Sequence, residues 1–344
     1  MTDTQSQPTT TDLTGRLPGA AVPYVVRYGE GLRHNAAGQI VYTLAGTDET
    51  AGGFGAMLGE LPSDRQPIPL HYHEREHDTW FCLRGKIQVW CNEQSRVLSP
   101  GDFAYVKPRD IHAYQSLAPR SSFFGIVAPG GWERFFVEAG EVWGMTALPP
   151  EGHPFDFRRM GPAMANNDVH PVSDATYASA TPIGPDDQAL PNGNSSYFLD
   201  AGHGTRRHLL GHLVTSIMTG DQCAEIADFR LVEGPSGTAM PTMSHNTTTT
   251  FLFMLAGEVV VTLDGVEHRV HAGDGVNIPA GTRYATRITS GTARWLACSA
   301  NGNGGRIWDH GMPTSAFCFT GTCDIPTERE RLAGASGLDC TIEP

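Results

Sequence analysis

Apolar residues recur along this chain in short runs, many of them at alternate positions, and the runs are closed by glycine, proline, asparagine or aspartate. In DTWFCLRGKIQVW, residues 78–90, apolar and polar side chains alternate as a half-buried strand requires, and Gly85 supplies a turn between two such strands. Helical spacing is rare. Its best instance is Trp132, Phe135, Phe136, Ala139 and Trp143, which predicts one short helix within residues 129–145. The pattern as a whole predicts an all-β protein with few short helices.

Shifted against itself by half of its 344 residues, the chain matches itself. DTWFCLRGKIQVW falls on TFLFMLAGEVVVT, residues 250–262, so that Gly85 meets Gly257 and Ile87 and Val89 meet Val259 and Val261. Gly101-Asp102 then meets Gly273-Asp274, and Pro108 lands one residue from Pro279. A self-match at so long a period marks a duplicated domain, and the length suits two cores of ordinary size. Each half reads as strand, Gly turn, strand, Gly-Asp turn, strand, Pro turn, strand, which describes a sandwich or a double-sheet jelly roll. The predicted organisation is a flexible polar tail (1–20), a first barrel (21–145), a connector rich in Pro, Asn and Asp (146–195), a second barrel (196–310) and a C-terminal tail (311–344). TERERLAGA in that tail predicts a closing helix.

Composition narrows the partners. The 40 Gly and 24 Pro suit a turn-rich β protein. A net charge of -13 disfavours nucleic acid and anionic membrane surfaces, which would be repelled at long range. No apolar run is long enough to span a bilayer, and the N-terminus lacks the basic and apolar segments of a secretory signal. Seven Cys without a CxxC pair, with Cys82 and Cys91 inside strand-like segments, predict free thiols in a reduced, cytoplasmic protein; Cys318 and Cys323 are near enough in sequence to pair, against that expectation.

The chemistry concentrates in LHYHEREHDTW. His71 and His73 are two apart, which places both imidazoles on one face of a strand. Asp78 begins the next strand, where a turn can bring its carboxylate back beside them, and His112 ends the segment after Pro108. Three imidazoles and a carboxylate predict a site for one divalent transition metal, whether Fe, Ni, Co, Cu, Mn or Zn, with positions open for substrate. Glu76 is a competing carboxylate, but it lies only three residues beyond His73; His77 and Glu74 read as solvated turn residues. In the second half the corresponding residues are Met243, His245, Thr250 and Tyr284. One imidazole does not hold a divalent ion against water, so His245 is expected to be a hydrogen-bonded core or surface residue. Parity from Asp78 turns Trp80 and Cys82 inward, and parity from His112 turns Tyr114 inward. Tyr24, Tyr42, Phe54, Met57 and Trp132 are further candidates for the same cavity.

These residues resemble the cupin superfamily. Its first motif is matched by His71, His73, Asp78 and Gly85, with Asp where the family carries Glu, and its second by Gly101, Pro108 and His112, with Asp110 where the family often carries Gly. FCLRG, the PRDIH ending, PGGWERFF and NGNSSYFLD together look like the quercetin 2,3-dioxygenases. The resemblance implies two tandem cupin barrels, of the double-stranded β-helix or jelly-roll type, with the metal in the first. It implies a ring-cleaving dioxygenase that takes a small aromatic substrate, a flavonol or similar polyphenol or polyketide, together with dioxygen. Asp78 would then be both ligand and catalytic base, with Trp80 and Tyr114 flanking a flat ligand and the silent second barrel supplying packing or homodimer contacts. The rival expectations are an oxygen-independent metal-dependent isomerase, decarboxylase or cyclase, and a non-enzymatic small-molecule-binding bicupin.

Overall fold

The computed structural model describes residues 12–62, 66–319, 328–330, 332 and 337–343. Each half is a barrel of two facing sheets: an eight-stranded and a six-stranded sheet in the first, an eight-stranded and a five-stranded sheet in the second. The duplication read from the sequence reappears in the register. His71 pairs with His112 in the first barrel, and Met243 pairs with Tyr284 in the second. Likewise Asp78 pairs with Val106, and Thr250 with Ile278. Gly85 and Gly257 turn with φ of 76° and 77°, and a Cβ at either would come within 2.8 Å of backbone across the turn. That left-handed geometry and that close approach are what glycine alone allows cheaply.

The strand His77–Arg84 shows why both of its faces are apolar. Trp80 and Cys82 enter the core of the first barrel, whereas Phe81 enters a second core shared by the two barrels. In that shared core Ile40, Leu58, Phe124 and Ile126 meet Phe229, Leu231, Phe251, Phe253 and Leu296, and Phe124 stacks on Phe253 at 4.5 Å between centroids. The eight-stranded sheets are thus covered on both faces, and the strand Ser121–Ala128 is buried at every position.

The predicted boundaries miss an exchange of strands. Tyr24–Val26 pairs with Gly275–Ile278 in the second barrel's sheet, and Tyr197–Leu199 pairs with Phe103–Val106 in the first barrel's sheet. Residues 12–20 are not a free tail either, because Leu13 is buried in the shared core and Thr14 bridges to Gly31. The helix expected within 129–145 is Arg134–Ala139, burying Phe135, Phe136 and Ala139. The connector holds a helix, Met160–Asn166, and two short strands, His170–Pro171 and Thr181–Pro182, that join the first barrel. In the C-terminal tail residues 328–330 and 332 are helical, and Cys340–Ile342 pairs with Ala239–His245. Cys82, Cys91, Cys223 and Cys298 are buried free thiols, and Cys318 is free and exposed; Cys323 lies outside the described residues. Among the described residues no helix is long and apolar enough to cross a membrane.

Candidate metal centre

His71 lies on the short strand His71–Tyr72, His73 comes directly after it, and His112 opens the strand His112–Ser116 that pairs with it. The three rings sit 4.4–5.1 Å apart between centroids, and their ligand nitrogens lie within 4.8 Å of one another, all buried. Each ring is held by its Nδ1. His71 donates to the carbonyl of Pro69 at 2.8 Å, His112 to that of Asp110 at 3.0 Å, and His73 to that of Asp168 at 2.7 Å. A carbonyl only accepts, so Nδ1 carries the hydrogen and Nε2 keeps its lone pair. The Nε2 atoms of His73 and His112 are buried with no hydrogen-bond partner among the described residues. Buried, unpaired lone pairs of this kind are costly unless a cation or a substrate completes them.

Electrostatics favour the same use. Burial, with His73 as neighbour, drives the His71 imidazole down to about 3, and burial takes His73 to about 4. Burial and then the other two rings drive His112 well below its usual value. All three are neutral at pH 7, the state in which histidine binds metals. The carboxyl of Asp78 is buried beside them, with Oδ2 3.6 Å from His112 Nε2 and Oδ1 accepting the backbone N–H of Thr79 at 2.9 Å. Burial raises it to about 8 in the absence of a cation. Glu76 is buried too and is likewise raised to about 8 by burial, but its carboxyl meets Arg75 and Asp168 rather than the imidazole cluster. Of the two competing carboxylates, Asp78 is the one beside the imidazoles.

The aromatic candidates divide. Trp80 packs edge-on to His112 at 5.7 Å and lies 6.0 Å from Tyr114, whose hydroxyl donates to Gln39. Trp132 stands edge-on to His73 at 5.2 Å and clusters with Met57 and Val127. Tyr24, Tyr42 and Phe54, by contrast, pack in the core between the barrels, and Tyr24 donates its hydroxyl to the carbonyl of Leu44. Val41 takes the barrel-facing position on the strand Gln39–Ala45, so Tyr42, one residue on, faces the other way. His77 is also corrected: it is buried, with Nδ1 2.6 Å from the Tyr105 hydroxyl, and burial lowers its imidazole to about 4. Glu74 is exposed and pairs with Arg109 at 2.8 Å, as expected of a turn residue.

The second barrel fills the equivalent space with a hydrogen bond. His245 Nε2 lies 2.8 Å from the hydroxyl of Tyr284, its Nδ1 is held by the carbonyl of Asp339, and Thr250 pairs with Ser299 at 3.0 Å. Met243 is buried against Tyr284, leaving a cavity of about 30 Å³, room for a water or two.

Residues 57–120 and 230–298 each match the cupin domain family. The chain is a bicupin. Over 289 residues, 80% of this bicupin and 82% of the relative, it is 26% identical to the quercetin 2,3-dioxygenase of Bacillus subtilis (strain 168). Over 130 residues, 36% of the bicupin and 37% of the relative, it is 28% identical to the quercetin 2,3-dioxygenase of Aspergillus japonicus. Among solved structures, salicylate 1,2-dioxygenase from Pseudoaminobacter salicylatoxidans superposes with a TM-score of 0.56 at 11% identity, covering 82% of the bicupin and 81% of that chain. Procruciferin, an 11S globulin from Brassica napus, does so with a TM-score of 0.54 at 9% identity, covering 82% and 85%. A dioxygenase and a globulin share this architecture, so the function has to be argued from the site.

Proposed function

We propose that this bicupin is a metal-dependent dioxygenase that cleaves an aromatic ring bearing adjacent hydroxyl and carbonyl groups, a flavonol or a similar polyphenol or polyketide, in its first barrel. One observation carries the reading: three neutral imidazoles and a carboxyl converge between aromatic walls, in a chain that is 26% identical over 80% of its length to a quercetin 2,3-dioxygenase. His71, His73, Asp78 and His112 are the residues that would hold the ion. When bound, a divalent transition metal supplies a Lewis acid that acidifies a substrate hydroxyl and a centre suited to dioxygen chemistry. Asp78 takes the hydroxyl proton at Oδ2, the oxygen not occupied by the Thr79 N–H. Trp80 and Tyr114 in one buried cluster, and Met57 and Trp132 in another, supply the apolar surface that would align a flat ring and exclude water.

The test is oxygen uptake with quercetin and a panel of related polyphenols, on protein loaded with each candidate metal. The proposal expects oxygen to be consumed with substrate in the parent and in no Asp78→Ala sample, with unchanged circular dichroism. A second reading, an oxygen-independent isomerase, decarboxylase or cyclase, draws support from the shorter Asp at residue 78, which has one of its oxygens tied to its own strand. Substrate consumed without oxygen uptake would establish that reading instead.

A further inference from the structure

We propose that Asp168, in the connector, is a positioning residue that locks His73 in its ligand orientation and so sets how tightly the first barrel holds its ion. The inference rests on the metal reading above. His71 and His112 are each oriented locally, by a carbonyl two residues earlier in their own segment. His73 is oriented from 95 residues away, by the carbonyl of Asp168.

The side chain of Asp168 grips the two residues after His73. Its Oδ2 accepts the backbone N–H groups of Glu74 at 3.0 Å and Arg75 at 3.1 Å, and the Arg75 guanidinium stands 3.7 Å from the same oxygen. Its Oδ1 accepts from His170 Nε2 at 2.8 Å. Asp168 itself sits at φ 54°, a left-handed conformation that Asp and Asn adopt more readily than other residues with a side chain. One residue therefore fixes both the ring of His73 and the turn that carries the chain from His73 toward Asp78.

The same device recurs in the second barrel. The carbonyl of Asp339 accepts from His245 Nδ1 at 3.0 Å, and its carboxylate accepts the N–H groups of Asn246 and Thr247 at 3.2 Å and of Thr248 at 2.8 Å. The strands next to these two residues also correspond, with Pro171 opposite His71 and Ile342 opposite Met243. The connector and the C-terminal tail are thus equivalent caps of one duplicated unit. In the second barrel the cap has no ligand set to orient, which makes Asp339 an internal control for a purely structural role.

Groups that orient a ligand imidazole typically change metal affinity about 10- to 100-fold when removed. The experiment titrates Co2+ into the metal-free full chain and tracks its visible spectrum for the parent, Asp168→Ala, Asp168→Asn and Asp339→Ala. Asp168→Ala should weaken Co2+ binding about 10- to 100-fold and alter the spectrum. Asp168→Asn, which keeps an acceptor and tolerates the left-handed backbone, should recover most of the affinity. Asp339→Ala should lower the melting temperature while leaving the Co2+ affinity and spectrum unchanged. Parent-like Co2+ binding in Asp168→Ala, or equal weakening in Asp339→Ala, overturns this inference and leaves the metal reading standing. No Co2+ binding by the parent overturns both together.

Discussion

The two barrels share register, turns and caps, yet one gathers three imidazoles and a carboxyl while the other gathers a methionine, a histidine, a threonine and a tyrosine. At the strand pair that matters most, His71 opposite His112 has become Met243 opposite Tyr284. The remaining histidine of the second barrel keeps its Nδ1 bond to a cap carbonyl and gives its Nε2 to the tyrosine hydroxyl. In the first barrel the corresponding Nε2 is buried and has no hydrogen-bond partner among the described residues. The backbone, then, does not make the centre. The fold presents the same four positions twice, and only the side chains give one set, and not the other, the clustered lone pairs that a metal ion would use.

The largest effect should come from the carboxyl. Asp78→Asn is expected to lower kcat about 100- to 10,000-fold, the usual contribution of a positioned base, whereas Thr250→Ala at the matching position leaves it unaltered; steady-state oxygen uptake compares them. A similar loss in both would erase the distinction between the barrels. Next is the core they share. Phe124→Ala should cost about 3–5 kcal/mol in urea unfolding, because it opens a cavity where Phe124 stacks on Phe253, yet metal content should not change. Smaller again, Tyr284→Phe leaves the buried His245 Nε2 without its partner and should cost about 1–3 kcal/mol, with activity intact.

The smallest signal is a proton. The carboxyl of Asp78 is raised to about 8 by burial, so at pH 7 it is protonated without a cation, and binding an ion drives that proton off. The imidazoles, already neutral, release none near neutrality. Calorimetry in buffers of different ionisation enthalpy should therefore find about one proton released per ion bound at pH 7, falling toward none above about pH 9. Release of two or more would mean that a group besides Asp78, either Glu76, likewise raised to about 8, or an imidazole, is also protonated in the free protein.

Much of this was legible in the chain. The duplication could be read because glycines at 85, 101, 257 and 273 meet a backbone requirement that few other residues satisfy, and because alternating strands advertise their faces. His71, His73, Asp78 and His112 came together because a two-residue spacing and the pairing of neighbouring strands leave them little freedom. Of the three misplaced aromatics, Tyr42 and Phe54 failed for one reason: sheets buried on both faces make inward and outward residues equally apolar. The exchanged strands were hidden because a three-residue segment such as Tyr24–Val26 carries no mark of which sheet it completes. His77 was hidden by its charged neighbours, which read as a solvated turn while the connector folds over them. The caps escaped notice because, of the two segments, only Asp168 and Asp339 are alike.

Metal content of the purified chain, loaded with a divalent transition ion and then desalted, bears most directly on the central claim. The account predicts one ion per chain in the parent and in Tyr284→Phe, and none in His112→Ala. Two ions per chain, or an ion that persists in His112→Ala, would contradict it.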